Sequence, residues 1–232
     1  MLQFSSGLDN KKLRCLAKHL NIKYSHIVSF DLPAGYTCPA AYICTTYANR
    51  LTGHVIDNKY SIVRCYASSQ EVQYSKLRVL RWNNYDTLRE LKDSQSIADN
   101  LLKSLPKNVK IVRIHTSGDF FNYDYFKAWC KVAESKPKII FYGYTKMLYT
   151  ILADKPDNLH LIYSHGSIYD AIADRKNIPQ VYIVRSLENP PAPVICNKLN
   201  NDFLDFEYIL NQQSFSILIH GTQKAKNEKS KR

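Results

Sequence analysis

No apolar run in the sequence approaches the roughly 20 residues needed to cross a bilayer as a helix. Its first residues, Met1-Leu-Gln-Phe-Ser-Ser-Gly-Leu, lack the cationic-then-apolar pattern of a secretory signal. Glycine is scarce, at 7 of 232 residues, and no Gly/Ser or proline-rich tract divides the chain. Internal repeats are absent, which excludes solenoids and fibrous arrays. Acidic residues are also in short supply: 20 Asp and Glu face 32 Lys and Arg, a net charge of +12. That imbalance favours polyanionic partners, nucleic acid first. The last stretch, 224–232, supplies five of the cations and one acid, and reads as a solvated, disordered tail. The remaining 1–223 reads as one α/β domain, long enough to bury a core without disulfide or metal staples. A reducing, cytoplasmic setting follows, in which the six cysteines are thiols or metal ligands.

What is present is a series of short β-branched runs, each followed by a polar cluster. They are 26–30, 109–114, 138–142, 159–163, 181–184 and 214–219. Their continuous apolar character suits strands buried on both faces, as in parallel sheets. Helical patterns lie between them. Asp86 is placed to cap a helix through Leu88, Leu91, Ile97 and Leu101, ending before Pro106. Residues 123–135 carry Phe126, Trp129, Cys130 and Ala133 on one stripe. Shorter helices are expected at 147–153 and 168–176. Alternation of strand and helix implies βαβ units: a mostly parallel sheet of about six βα units, as in a partial, open TIM-like barrel.

In such folds the functional loops gather at the carboxyl ends of the strands. His115, Asp119, Tyr144, Lys146, His165, Arg185 and His220 would meet there. Cys38 and Cys44 lie in the loop after the first strand, and Cys65 follows at a distance. Thiolates on such a rim suit an iron–sulfur cluster or zinc, with a fourth position left to water, substrate or a histidine such as His54. Buried reduced thiols are the alternative. Ser117-Gly118-Asp119 allows close backbone approach to a cofactor and supplies a carboxylate acceptor; capping of the next helix is the competing role. Lys146 suits a carboxylate or phosphate, or else is a surface lysine. A metal-dependent hydrolase using His115, Asp119, His165 and His220 is a further reading. In segment 64–89, Arg64, Arg78 and Arg81 interleave with Trp82 and tyrosines, a mixture suited to nucleic acid or to an amphipathic helix with arginines over an aromatic core.

Several motifs resemble the bacteriophage gene-product-88 family. They are the segments 32–44 (Leu-Pro-Ala-Gly-Tyr-Thr-Cys-Pro-Ala-Ala-Tyr-Ile-Cys), 64–71 (Arg-Cys-Tyr-Ala-Ser-Ser-Gln-Glu), 81–85, 113–121, 141–146 and 219–223. The resemblance covers nearly the whole chain and implies a phage-encoded protein working in the host cytoplasm; it implies no particular reaction. The layout is also similar to radical SAM enzymes, whose partial barrel carries a three-cysteine loop after its first strand and a cofactor-binding segment after its second. That resemblance implies a 4Fe–4S cluster on Cys38, Cys44 and Cys65, with S-adenosylmethionine near Ser117, Gly118 and Asp119. The spacing differs, since twenty residues separate Cys44 from Cys65. The alternative is a non-enzymatic nucleic-acid-binding protein with a structural zinc or no metal.

Overall fold

Runs of Ile, Val, Phe and Tyr that are apolar at both parities need cover on two faces, and the fold supplies it. The computed structural model describes residues 1–59, 61, 63–196 and 204–218. Its elements begin with β1 (Ser5–Ser6), α1 (Lys11–His19), β2 (Ile27–Phe30), β3 (Tyr47–Ala48), β4 (Val55–Ile56), α2 (Tyr66–Gln73), α3 (Ser75–Arg89) and α4 (Ser94–Ser104). They continue with β5 (Ile111–Ile114), α5 (Tyr123–Ser135), β6 (Ile140–Thr145), α6 (Leu148–Leu152), β7 (Leu159–Ser164) and α7 (Asp170–Arg175). The last are β8 (Gln180–Val184), β9 (Val194–Cys196), α8 (Leu204–Leu210) and β10 (Phe215–Leu218).

Eight strands form one sheet in the order β1-β2-β5-β6-β7-β8-β10-β9. Only the β1–β2 pair is antiparallel. All six expected strands are present, and they cross the sheet in chain order. Alternate residues face opposite ways in a strand, and the core divides accordingly. Val28, Val112, Phe141 and Leu161 pack with Leu88, Leu101, Phe126 and Trp129 from α3, α4 and α5. Ile27, Ile111, Tyr142 and Ile162 pack with Leu13 and Leu16 of α1 and Phe206 and Ile209 of α8. The sheet does not close, and β1 and β9 stand at its edges. The mostly parallel α/β sheet is therefore present, whereas barrel character is not seen among the described residues.

The single helix expected from Asp86 onward is corrected to two. α3 ends at Arg89, and α4 starts afresh at Ser94 because Asp93 and Ser96 form a reciprocal capping box. Asp86 instead pairs with Arg50 and Arg89 on the surface. Among the described residues no helix is long and apolar enough to cross a membrane. His220 and the basic stretch 224–232 lie outside the described residues.

Candidate functional site

The carboxyl ends of β2, β5, β6 and β7 are tied together by buried polar side chains. Asp31, just past β2, accepts from both the backbone N–H and the hydroxyl of Thr116 at 2.7 Å. Asp119, past β5, accepts from the Thr145 hydroxyl at 2.7 Å and the Lys146 N–H at 2.8 Å. Lys146 in turn donates its ammonium to the carbonyls of Ser164 and His165, at 3.1 and 2.5 Å. Each link spans one neighbouring pair of strand ends. Asp119 is not the cap of α5; Asn122 takes that role by accepting from the Tyr125 N–H at 2.8 Å. Burial pushes the Asp119 carboxyl above its ordinary range, partly offset by the Lys146 N–H and Thr145 hydroxyl.

The cysteine loop lies directly on this rim. Gly118 has φ +83°, and a Cβ there would stand 2.5 Å from Thr37 Oγ1 and 2.7 Å from Leu32 Cβ. Only glycine allows Ser117-Gly118-Asp119 to press so closely on the residues that lead into Cys38. The Leu32 N–H donates to the Ser117 carbonyl at 3.0 Å and locks the approach. Cys65 precedes α2 as its N-cap residue, its own N–H donating to Thr46 Oγ1 at 2.7 Å. The three cysteines, from two separate stretches, come within electrostatic reach of one another: Cys38 of both Cys44 and Cys65, and Cys44 of Cys65. Asp119 lies within reach of Cys38 and Cys44, and Lys146 within reach of Cys44.

All three residues keep some exposure while their thiols are desolvated. Burial raises each pKa. Cys65 is pushed up to about 12, against the pull of the Ser68 and Ala67 N–H groups at the start of α2. Lys146 moderates the rise at Cys44. The three are free thiols. As they stand, no group of three or more His, Cys, Asp or Glu side chains among the described residues is arranged to hold a metal ion.

The other expected site residues divide. His165 is partly exposed, 3.4 Å from Asp170 through its Nε2, with its ring tilted against Tyr182 at 5.1 Å between centroids. Arg185 is exposed at the end of β8, and His54 is exposed between β3 and β4. His115 turns away from the strand-end loops, into the core. It is 4% exposed, with Nε2 2.9 Å from the Tyr125 hydroxyl and its ring against Phe120. Its backbone sits at φ +64°, a conformation that asparagine tolerates best among non-glycine residues.

Burial lowers the His115 pKa to about 3, whereas an unfolded histidine titrates near 6.5. A base with a depressed folded pKa contributes its full stability above the unfolded value and loses it as pH falls from about 6.5 toward 3. The loss is at most about 1.4 kcal/mol per pH unit for a single group. Urea unfolding at pH 7 and pH 5 should therefore show a smaller acid loss in His115→Asn than in the wild type. Equal losses would remove His115 as the cause.

The nucleic-acid expectation for segment 64–89 is corrected for three of its four residues. Arg78, Arg81 and Trp82 are 8%, 1% and 6% exposed. Arg78 donates to the carbonyls of Arg50 and Glu71, and Arg81 pairs with Glu71 at 3.0 Å. Trp82 lies beneath the Arg50 guanidinium, 4.7 Å from its ring centroid, and against Tyr36. Arg64 is ion-paired with Asp57. The arginines are spent on internal acceptors because α2 and α3 pack against each other through them.

Glu71 itself was missed by sequence reasoning. Its Oε1 accepts from the Ala34 N–H at 2.9 Å, from Arg81, and from the Ser117 hydroxyl at 3.4 Å. It thus clasps α2, the cysteine loop and the segment after β5. The available signal was its position as one of only two acids in a strongly cationic segment.

An open, mostly parallel α/β sheet, with cysteine-bearing loops and polar ties through Asp31, Asp119 and Lys146 at its strand ends, defines the molecule as an α/β protein with a polar strand-end rim. The family model described as "Gene product 88" matches residues 5–232, and the chain belongs to that family. It is 26% identical to the "Gene 88 protein" of Mycobacterium phage D29 over 201 residues, covering 78% of this chain and 76% of that one. It is also 26% identical to the "Gene 88 protein" of Mycobacterium phage L5 over 149 residues, 59% of this chain and 56% of that one. No solved structure matches.

Proposed function

We propose that the strand-end rim is a thiolate metal centre held by Cys38, Cys44 and Cys65, with an iron–sulfur cluster as its leading occupant. The observation that carries this reading is the convergence of three free thiols from two stretches of chain onto the carboxyl ends of a parallel sheet. The donor set is soft and suits iron or zinc. Capture requires the thiols to lose protons and turn to a common centre, since they do not stand in ligating positions unaided. A cluster with three protein ligands would supply an open iron for a ligand or an electron.

The chain's own residues have defined tasks in this reading. Lys146 offsets negative charge beside Cys44, and the first N–H groups of α2 do so at Cys65. Asp119 holds the ends of β5 and β6 in register and presents its carboxylate near Cys38. Ser117 and Gly118 set how closely that segment meets the cysteine loop. S-adenosylmethionine, implied by the radical SAM layout, would meet this same group of residues.

Protein purified without oxygen tests the assignment directly through iron, sulfide and zinc content and visible absorption. A brown sample with iron and sulfide supports the cluster, and a colourless sample with stoichiometric zinc supports a zinc thiolate centre. Protein free of both metals would overturn the reading.

A further inference from the structure

Among the described residues, the buried guanidinium groups of Arg78 and Arg81 are each bonded to protein acceptors, although the Arg81 Nε, like that of Arg113, has no partner of its own. Arg81 has the Glu71 carboxylate, and Arg78 has two carbonyls. Arg113, on β5, is 5% exposed and its Nε has no hydrogen-bond partner. No ion pair joins it to a carboxylate among the described residues. It lies over the Tyr144 ring, 5.1 Å from the centroid, opposite Tyr142 on the neighbouring strand. Asp205 is within electrostatic reach. Its carboxylate, however, already accepts from the Tyr144 hydroxyl at 2.5 Å and faces the Lys12 ammonium at 3.4 Å. Asp205 and the surrounding tyrosines favour the charged guanidinium against its burial, but no carboxylate of the described residues bonds it directly, and a bound anion could take that place.

Arg113 pairs in register with Ser29 on one side and Tyr142 on the other, so it occupies the sheet face covered by α1 and α8. Tyr66, the residue after Cys65, lies within electrostatic reach of Arg113, Cys65 and Lys12 alike. Tyr66, whose hydroxyl donates to the Thr116 carbonyl on the rim, thus stands between the guanidinium and Cys65, and the Lys12 side chain, 21% exposed, marks a solvent edge of the same cluster.

We propose that Arg113 is the receptor for an anionic oxygen group, carboxylate or phosphate, of a small ligand bound on this face beside the thiols. A planar guanidinium with an unused N–H edge suits two-point recognition of either group, and the Lys12 ammonium adds positive charge beside it. The site stands on Arg113 and not on the occupancy of the thiols.

Thermal unfolding of the protein as purified tests this with inorganic phosphate and with succinate, each against chloride at equal ionic strength. The wild type should gain a few degrees in Tm from at least one probe beyond the chloride control, and Arg113→Met should lose that gain. Because phosphate also stabilises proteins nonspecifically, the difference between wild type and variant is the quantity read. Phosphate alone would indicate a phosphate-bearing ligand, and succinate alone a carboxylate-bearing one. No gain from either in the wild type, or an undiminished gain in Arg113→Met, would overturn the assignment. If Arg113→Met does not fold, Arg113→Gln takes its place under the same criterion. Cys44→Ser should keep the gain, which separates failure here from failure of the metal reading.

Discussion

Serine in place of Cys38, Cys44 or Cys65 is expected to release most of the bound metal, whereas Cys130→Ser retains it. Serine is nearly isosteric with cysteine, so folding should change little. Its hydroxyl, however, is a poor ligand for the soft metals that thiolates select. The three thiols interact with one another, so loss of any one leaves two ligands and no chelate able to hold a cluster. Cys130 is the proper control. It too is a half-buried thiol with a raised pKa, but burial and Glu134 account for that rise, and none of the three rim cysteines contributes to it. Metal analysis of the four variants after identical anaerobic purification gives the answer. Equal metal content in all four would sink the thiol centre, whatever the wild type contains.

Arg81→Ala should be the most destabilising of the simple substitutions, costing on the order of 3–5 kcal/mol, the range for removing one partner of a buried ion pair. Arg81 and Glu71 side chains are both 1% exposed and 3.0 Å apart. Removing the guanidinium leaves a desolvated carboxyl whose Oε2 already has no partner, and burial already raises its pKa despite Arg81. Neutralising the survivor should rescue part of the loss, so Glu71→Gln combined with Arg81→Ala should be more stable than Arg81→Ala alone. Urea denaturation of the three proteins measures this. An Arg81→Ala cost under about 1 kcal/mol, the value of a surface pair, would mean that the pair is solvated in solution. The same series addresses nucleic acid. With the guanidinium buried, Arg81→Ala should change stability and leave the salt dependence of any nucleic-acid binding unaltered.

The sheet was legible because its strands are apolar at both parities. Residues 27–30, 111–114 and 159–164 satisfy two cores at once, and no helical reading accommodates Ile27-Val28 or Leu161-Ile162 facing opposite ways. α5 was legible from its stripe, and its bounds match the structure residue for residue. The break between α3 and α4 was missed because Asp86 and Asp93 look alike as caps, and only the reciprocal bond with Ser96 distinguishes the second. Convergence of Cys38, Cys44 and Cys65 followed from the strand-end rule and the position of their loops. The fates of Arg78, Arg81 and Arg113 were not legible. An arginine beside aromatics reads the same in sequence whether its acceptor is a carbonyl, a carboxylate or an external anion, and the difference lies in tertiary neighbours. His115 was misjudged for a related reason: the left-handed backbone at that residue turns the ring into the core.

The ties between strand ends carry a consequence for the order of assembly. Those linking β5 to β6 and β6 to β7 span 27 and 18 residues of chain, and the bond from Ser214 to Gln180 beside β8 spans 34. The tie from β2 to β5 spans 85. Closing a longer loop costs more entropy before any contact rewards it, although the cost grows only logarithmically, and pairing of distant segments is correspondingly slow. Strands β5 to β8 can therefore zip together while β2 is still searching. All three thiols lie in the stretch between β2 and β5, and they come to rest against Asp119 and Lys146 only when that long loop shuts. Until that closure the thiols lack the burial that raises their pKa in the folded protein, so the late folding phase is the window in which they are most open to oxidation.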